Sequence, residues 1–127
     1  MFISSSVNII KDISRNSPYP QPELKKIANS KVSDMSYNDM LTNEKVAYDG
    51  YSSHGWKGNY PGQQSGIHAG GRYNNTSNIL PNGIYHEFDI NPKVPGVVRD
   101  ASRFVVSQDY IVYLTRDHYN TFFRIIK

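Results

Sequence analysis

Cysteine is missing from this chain of 127 residues. Disulfide staples and thiolate metal sites are thereby excluded, although that absence does not place the chain inside a cell. No stretch approaches the roughly 20 apolar residues of a membrane span. The opening Met1-Phe-Ile-Ser-Ser-Ser-Val-Asn-Ile-Ile10 lacks a basic leader and a continuous apolar core, so it does not read as a signal peptide. The 4 histidines have no clustered spacing, which argues against a metal centre. Internal repeats, low-complexity tracts and linkers are also missing. A single domain over residues 1–127 is expected, with residues 1–21 weakly patterned.

What is present is ordinary in bulk: 38% hydrophobic and 20% charged residues, as in a soluble globular domain. Tyrosine is abundant, at 10 residues, and suits either half-buried sheet faces or base stacking. A formal net charge of +3 and a pI of about 9.1 mildly favour a polyanionic partner.

The first half predicts short helices. Val7–Ile13 spaces apolar residues as two helical turns do, and the prolines from Pro18 to Pro22 break them. Pro22–Asn29 suits a short helix, with Pro22 in its first turn and Glu23 at the positive end of its dipole. Ser36–Ala47 is a third, with Met40, Leu41 and Val46 as core contacts. Tyr48–Gly71 is dense in glycine and reads as a long packed loop anchored by Trp56. It lacks the spacing of a phosphate-binding glycine loop. Asn74, Asn75, Ser77 and Asn78 mark a turn after a short strand ending at Tyr73.

From Ile84 onward the period is two. Ile84, His86, Phe88 and Ile90 alternate with Tyr85, Glu87 and Asp89, so one face is largely apolar and the other carries two carboxylates. Arg103–Ser107, Tyr110–Thr115 and Thr121–Ile126 are further strands, the first two joined by a tight connection at Gln108-Asp109. The expected fold class is α+β: short N-terminal helices packed on a C-terminal, consecutive antiparallel β-sheet.

In such a meander Glu87, Arg99, Arg103 and His118 can converge on one face, with Asp89 beside Glu87. Each has an ordinary reading: a solvated strand glutamate, a plain ion pair, an exposed turn histidine. His54, His68 and His86 are given only an ordinary reading, His86 as a partly buried core residue on the apolar side of its strand. Together, the four match a specific task. RNA can be cleaved by its own 2′-hydroxyl if a base takes the 2′ proton, an acid protonates the departing 5′ oxygen, and fixed positive charge holds the dianionic transition state. Arginine suits the last role because its planar fork donates two bonds and stays charged.

The order of these residues resembles the microbial guanyl-specific ribonucleases of the barnase-like type. Glu87-Phe-Asp-Ile-Asn91, then Arg99 and Arg103, then Tyr113-Leu-Thr-Arg-Asp-His-Tyr-Asn-Thr-Phe122 match that family's motifs in order. Gly55-Trp56, Gly58-Asn59, Gly70-Gly71 and Leu80-Pro81 match its landmarks upstream. The resemblance covers about residues 55–127. It implies the microbial ribonuclease fold and metal-independent endoribonuclease activity on single-stranded RNA without a cofactor. Glu87 would be the general base and His118 the general acid. Arg99 and Arg103 would bind the reacting phosphate, with Asp89 fixing the arginines and Tyr119 touching the substrate. Asn74, Asn75 and Ser77 would lie in the base-binding loop. It also implies a monomer, secretion or delivery into a target cell as a toxin, and an acidic immunity or inhibitor protein as partner, with no role for a membrane.

Two departures stand out. The family's loop carries a glutamate that bonds the guanine edge, and Ser77 stands in its place; a neutral hydroxyl cannot accept two guanine protons as a carboxylate can. The Pro92–Val98 turn is also two residues longer. The family's phosphate-binding helix lysine could correspond to Lys25, Lys26 or Lys31. A catalytically silent RNA- or protein-binding module on the same fold is the alternative reading, and a DNA nuclease a third.

Overall fold

The computed structural model describes residues 30–127. The helices expected over Val7–Ile13 and Pro22–Asn29, together with Lys25 and Lys26, lie outside them. Lys31–Lys127 form one compact unit. Its elements are β1 (Val32–Ser36), a 3-10 turn (Tyr37–Asp39), α1 (Thr42–Ser53), β2 (Ala69–Tyr73), β3 (Tyr85–Asp89), β4 (Arg103–Ser107), β5 (Val112–Thr115) and β6 (Phe122–Ile126). One sheet of six strands runs β1-β6-β5-β4-β3-β2. Strands β2 to β6 form the expected antiparallel meander, whereas β1 adds to β6 in parallel. The sheet is therefore mixed, and α1 is the one α-helix among the described residues. No helix among them is long and apolar enough to cross a membrane.

β1 escaped the sequence pattern because Val-Ser-Asp-Met-Ser is a polar edge strand, with Val32 and Met35 only half-buried. Its pairing with the end of the chain is non-local, and a cross-strand pair, Asp34 with Arg124 at 3.0 Å, trims its exposed face.

α1 both begins and ends later in the chain than the sequence suggested. Its buried residues are Glu44, Ala47, Tyr48 and Tyr51, which is the i, i+3, i+4, i+7 stripe of a helix on a core. That phase turns Val46 outward, to 63% exposure, and leaves Leu41 outside the helix at 57%. Met40 is buried as expected. The helix continues through Gly50 because Tyr60 packs against it; a Cβ there would meet the Tyr60 ring at 2.2 Å. It ends at a Schellman motif. The Trp56 N–H bonds the Tyr51 carbonyl at 2.9 Å, the Gly55 N–H bonds that of Ser52 at 3.1 Å, and Gly55 takes a left-handed φ of 74°. The Trp56 and Tyr51 rings stack across the motif at 5.5 Å.

Both faces of the sheet are packed. Phe88, Phe104, Val106, Val112, Leu114 and Ile125 form the core under α1, where Trp56 touches Tyr48, Tyr51, Phe88 and Phe104 as the expected loop anchor. On the other face Tyr73, Leu80, Tyr85, Val105, Tyr113 and Phe122 make a second cluster, which the carboxylate-bearing face had not suggested. Tyrosine disguised it, since a buried ring with a polar tip reads as polar in an alternation.

Loop 54–68 is tied to the end of β3 by the Lys93 N–H on the Gly66 carbonyl at 2.8 Å. Gly66 has a φ of 86°, and a Cβ there would lie 2.7 Å from the Lys93 carbonyl oxygen. Gly66→Ala should therefore lower stability by about 1–2 kcal/mol from the left-handed backbone, more if the clash does not relax; denaturant unfolding measures it, and an unchanged midpoint would show this tether to be dispensable.

The first turn of α1 is capped by Glu44, which takes the Leu41 N–H at 2.8 Å and both prongs of the Arg116 fork at 2.8 Å. Burial works against its charge, but the Arg116 and Leu41 bonds prevail and hold the carboxyl below the ordinary 4.5. Because the folded value is lowered, this contribution is complete above that value and is lost as pH falls through the folded one. Melting temperatures followed from neutral to acid pH should decline less steeply in Glu44→Gln than in the wild type.

Candidate active site

Register sets the site. Asp89 pairs with Arg103 across β3 and β4, and Arg103 pairs with Thr115 across β4 and β5. One row thus carries a carboxylate, a guanidinium and a hydroxyl on the same face. In the next row Glu87 lies opposite Val105, which lies opposite Tyr113, so Glu87 stands on the apolar floor of the second cluster.

Asp89 is almost fully buried, with its side chain 2% exposed, and every acceptor on it is used. Oδ1 takes Arg99 and stands 3.1 Å from Arg103 Nε, and Oδ2 accepts the His68 N–H at 2.9 Å. The Asp89 N–H bonds the His68 carbonyl at 2.9 Å, and the Asp89 carbonyl accepts the Tyr51 hydroxyl at 2.6 Å. Burial pushes that hydroxyl up to about 12, with the nearby Asp89 charge adding to the effect.

The two arginines differ. The Arg103 side chain is 4% exposed, and its Nη1 donates to the carbonyls of Asp100 at 2.5 Å and Ser102 at 2.8 Å. Its Nε faces Asp89 off-axis and makes no aligned hydrogen bond. The Arg99 side chain is 39% exposed and is the more open of the two cations.

Glu87 is half-buried and accepts the Tyr119 hydroxyl. Tyr119 lies flat on Tyr73 at 4.7 Å. Burial and the Glu87 carboxylate raise its hydroxyl well above the ordinary 10, against a smaller pull from Arg103 and Arg99. Tyr119 is therefore a neutral hydrogen-bond donor near Glu87 and within the field of both arginines.

His118 is exposed and sits at the turn between β5 and β6. It and Tyr119 both adopt left-handed backbone, with φ of 58° and 73°. The turn is built by Asp117, whose carboxylate accepts from the Thr115 and Thr121 hydroxyls and from the Asn120 and Thr121 N–H groups at 2.6–3.2 Å. Burial opposes its charge, yet the Thr121, Thr115 and Asn120 bonds hold the carboxyl below its ordinary value. The His118 N–H reaches the Ala101 carbonyl at 3.2 Å, bringing the turn beside the Arg99–Arg103 segment.

The loop over residues 74–78 is separate. Asn75 is buried, and its amide bonds the Leu80 carbonyl at 2.8 Å and the Leu80 N–H at 3.2 Å. It shapes the loop, while Asn74 and Ser77 are exposed on it. Lys31 stands just before the edge strand β1, where its carbonyl accepts the Phe122 N–H at 2.9 Å. Among the described residues no group of three His, Cys, Asp or Glu side chains gathers as a metal cluster would.

A family model described as ribonuclease matches residues 12–126. The chain belongs to this ribonuclease family. Its fold is shared with solved structures of ribonuclease Sa2. The complex of that enzyme with guanosine-2′-cyclophosphate is 26% identical, covers 75% of this chain and 96% of that one, and has a TM-score of 0.57. Complexes with mononucleotides (25% identity, 76% and 95% covered, TM-score 0.55) and with exo-2′,3′-cyclophosphorotioate (25%, 74% and 96%, 0.55) agree. No curated protein matches the chain. The match to this RNA-cleaving family spans the whole sheet and thus all the residues singled out from the sequence.

Sequence reasoning missed three supporting groups in this ribonuclease: Tyr51 and the His68 backbone around Asp89, Tyr73 under Tyr119, and Glu44 facing Arg116. The helical stripe at Glu44, Ala47, Tyr48 and Tyr51 was the available signal for the first and third.

Asp89→Asn should cost about 3–5 kcal/mol, because it leaves two guanidinium charges without their buried counter-charge. Chemical denaturation reads this directly, and a loss under about 1 kcal/mol would mean that solvent already neutralises the arginines.

Proposed function

We propose that the protein is a metal-independent endoribonuclease that cleaves single-stranded RNA by transesterification to a 2′,3′-cyclic phosphate. The observation that carries this is the convergence on one sheet face of Glu87, Tyr119 and the Asp89–Arg99–Arg103 cluster, with His118 tied to the same segment through Ala101. Glu87 takes the proton of the 2′-hydroxyl, whose oxygen attacks phosphorus. As the bond from phosphorus to the 5′ oxygen breaks, His118 protonates that oxygen. Arg99 binds the phosphate from the open side, while Arg103 supplies fixed positive charge from below the surface. Tyr119 donates to Glu87 and orients it, and contacts the substrate. In the second step the roles reverse: His118 takes a proton from water and Glu87 returns one to the 2′ oxygen as the cyclic ester opens.

Ser77 lies where the family carries a glutamate, so we expect a relaxed base preference with guanine favoured less strongly. We further propose that the domain acts as a monomeric toxin, secreted or delivered into a target cell, and is neutralised by an acidic immunity protein. Arg99, open at the site, is a natural target for such a partner's carboxylates.

RNA incubated with the protein in excess chelator should yield 2′,3′-cyclic phosphate ends. Intact RNA would overturn the proposal, and cleavage lost only on chelation would favour a metal-dependent nuclease. Glu87→Ala and His118→Ala should each lower turnover by about two orders of magnitude or more. The rate should follow a bell in pH, since one group acts deprotonated and the other protonated; near-wild-type turnover in either variant would remove that residue from its role.

A further inference from the structure

We infer that the ion pair of the buried Glu44 with the half-buried Arg116 is a positioning device for His118: it fixes the root of the β5–β6 turn against α1 and so sets where the acid stands. The inference rests on the acid role proposed for His118.

His118 is exposed, and its ring lies 4.8 Å from that of Tyr119. Backbone geometry decides where it stands, through the left-handed φ and the N–H bond to Ala101. A side chain held in this way depends on anchors to either side of it in the chain. On the C-terminal side Asp117 and Thr121 close the turn. On the N-terminal side the chain crosses between the two faces of the sheet. Thr115 belongs to the row of Asp89 and Arg103, with its hydroxyl accepting the Tyr119 N–H at 3.0 Å. Arg116 turns to the opposite face, where its guanidinium lies 5.5 Å over the Phe123 ring. There Nε donates to Glu44 Oε2 and Nη2 to Oε1, each at 2.8 Å.

A two-pronged fork fixes both position and rotation, which a single contact cannot. Its other end is equally firm. The Glu44 side chain is 2% exposed and already accepts the Leu41 N–H. The first turn of α1, Arg116 and the acid-bearing turn are therefore one mechanical unit at the end of β5. Packing alone does not call for this pair. Desolvating Glu44, and Arg116 in part, offsets much of their attraction, and apolar residues of like size would bind helix to sheet as well. What an apolar pair lacks is direction, and direction is what the placement of an acid needs.

The test compares two substrates: a dinucleotide, whose 5′ oxygen must be protonated to leave, and a nucleoside 3′-nitrophenyl phosphate, whose leaving group departs without a proton. His118→Ala is the reference, slow on the first and much less impaired on the second. Arg116→Gln should lower kcat on the dinucleotide by about tenfold or more while changing KM by less than about twofold, since small misplacements of a catalytic group cost rate. On the nitrophenyl ester most of that deficit should vanish. Arg116→Lys, which keeps the charge without the fork, should fall between. Should either single variant be unfolded at the assay temperature, Glu44→Gln with Arg116→Gln keeps a polar contact without charge and carries the comparison. A deficit equal on both substrates, one confined to KM, or none at all would overturn the inference while the wild type remains active. An inactive wild type, or an unimpaired His118→Ala, would overturn the acid role itself and the positioning with it.

Discussion

A carboxylate buried as deeply as that of Asp89 would be untenable alone, since the desolvation of an unpaired charge exceeds what packing returns. Its two arginines and the His68 N–H resolve this, and in doing so they constrain much of the unit. Arg99 and Arg103 are drawn to the end of β3. Loop 54–68 is closed onto the sheet, and Tyr51 of α1 reaches the same residue's carbonyl. The condition that makes one buried charge tolerable thus also concentrates positive charge at the site. Asp89 pairs with both arginines, which leaves Arg103 buried and Arg99 partly exposed.

The sheet serves both layers with opposite chemistry. One face is a conventional hydrophobic contact with α1 and Trp56. The other is tiled by tyrosines, which fill space as hydrocarbons do and offer hydroxyls at the rim. Glu87 stands on that tyrosine floor, and Tyr119 bridges the two by stacking on Tyr73 and donating to the carboxylate. Glu87 on a strand and His118 on a turn are held by different means. The strand position comes from ladder pairing, and the turn position from Asp117, two left-handed residues and the segment at Ala101. His118 is therefore the residue whose geometry has the most to lose from distant changes.

Legibility followed locality. Strands β3 to β6 could be read because alternation and β-branched or aromatic composition are local, and the end of β2 could be read at Tyr73. α1 was misphased because its apolar stripe is made of tyrosines and a paired glutamate, so Leu41 and Val46 looked like better core residues than Tyr48 and Tyr51. β1 gave no local signal, since its pairing is with strand β6 at the far end of the chain. The role of Asn75 was also hidden: the sequence shows an amide in a turn, and only the Leu80 and Pro81 carbonyls show that the amide is spent inside it.

The chemical inventory was determined by sequence alone: a glutamate, two arginines, an aspartate and a histidine, in an order that strand alternation and short turns can bring to one face. Side-chain direction in a strand depends on position along the chain, so that much follows without coordinates. Tertiary structure decided which charges are open and which are sealed. Arg103 and Asp89 are buried where β3 and β4 pair, whereas Arg99 is partly exposed and His118 exposed among the described residues. It also decided that Glu44, distant in sequence, meets Arg116 two residues before His118. Burial and non-local pairing arise from how elements pack, and no local pattern in the chain encodes them.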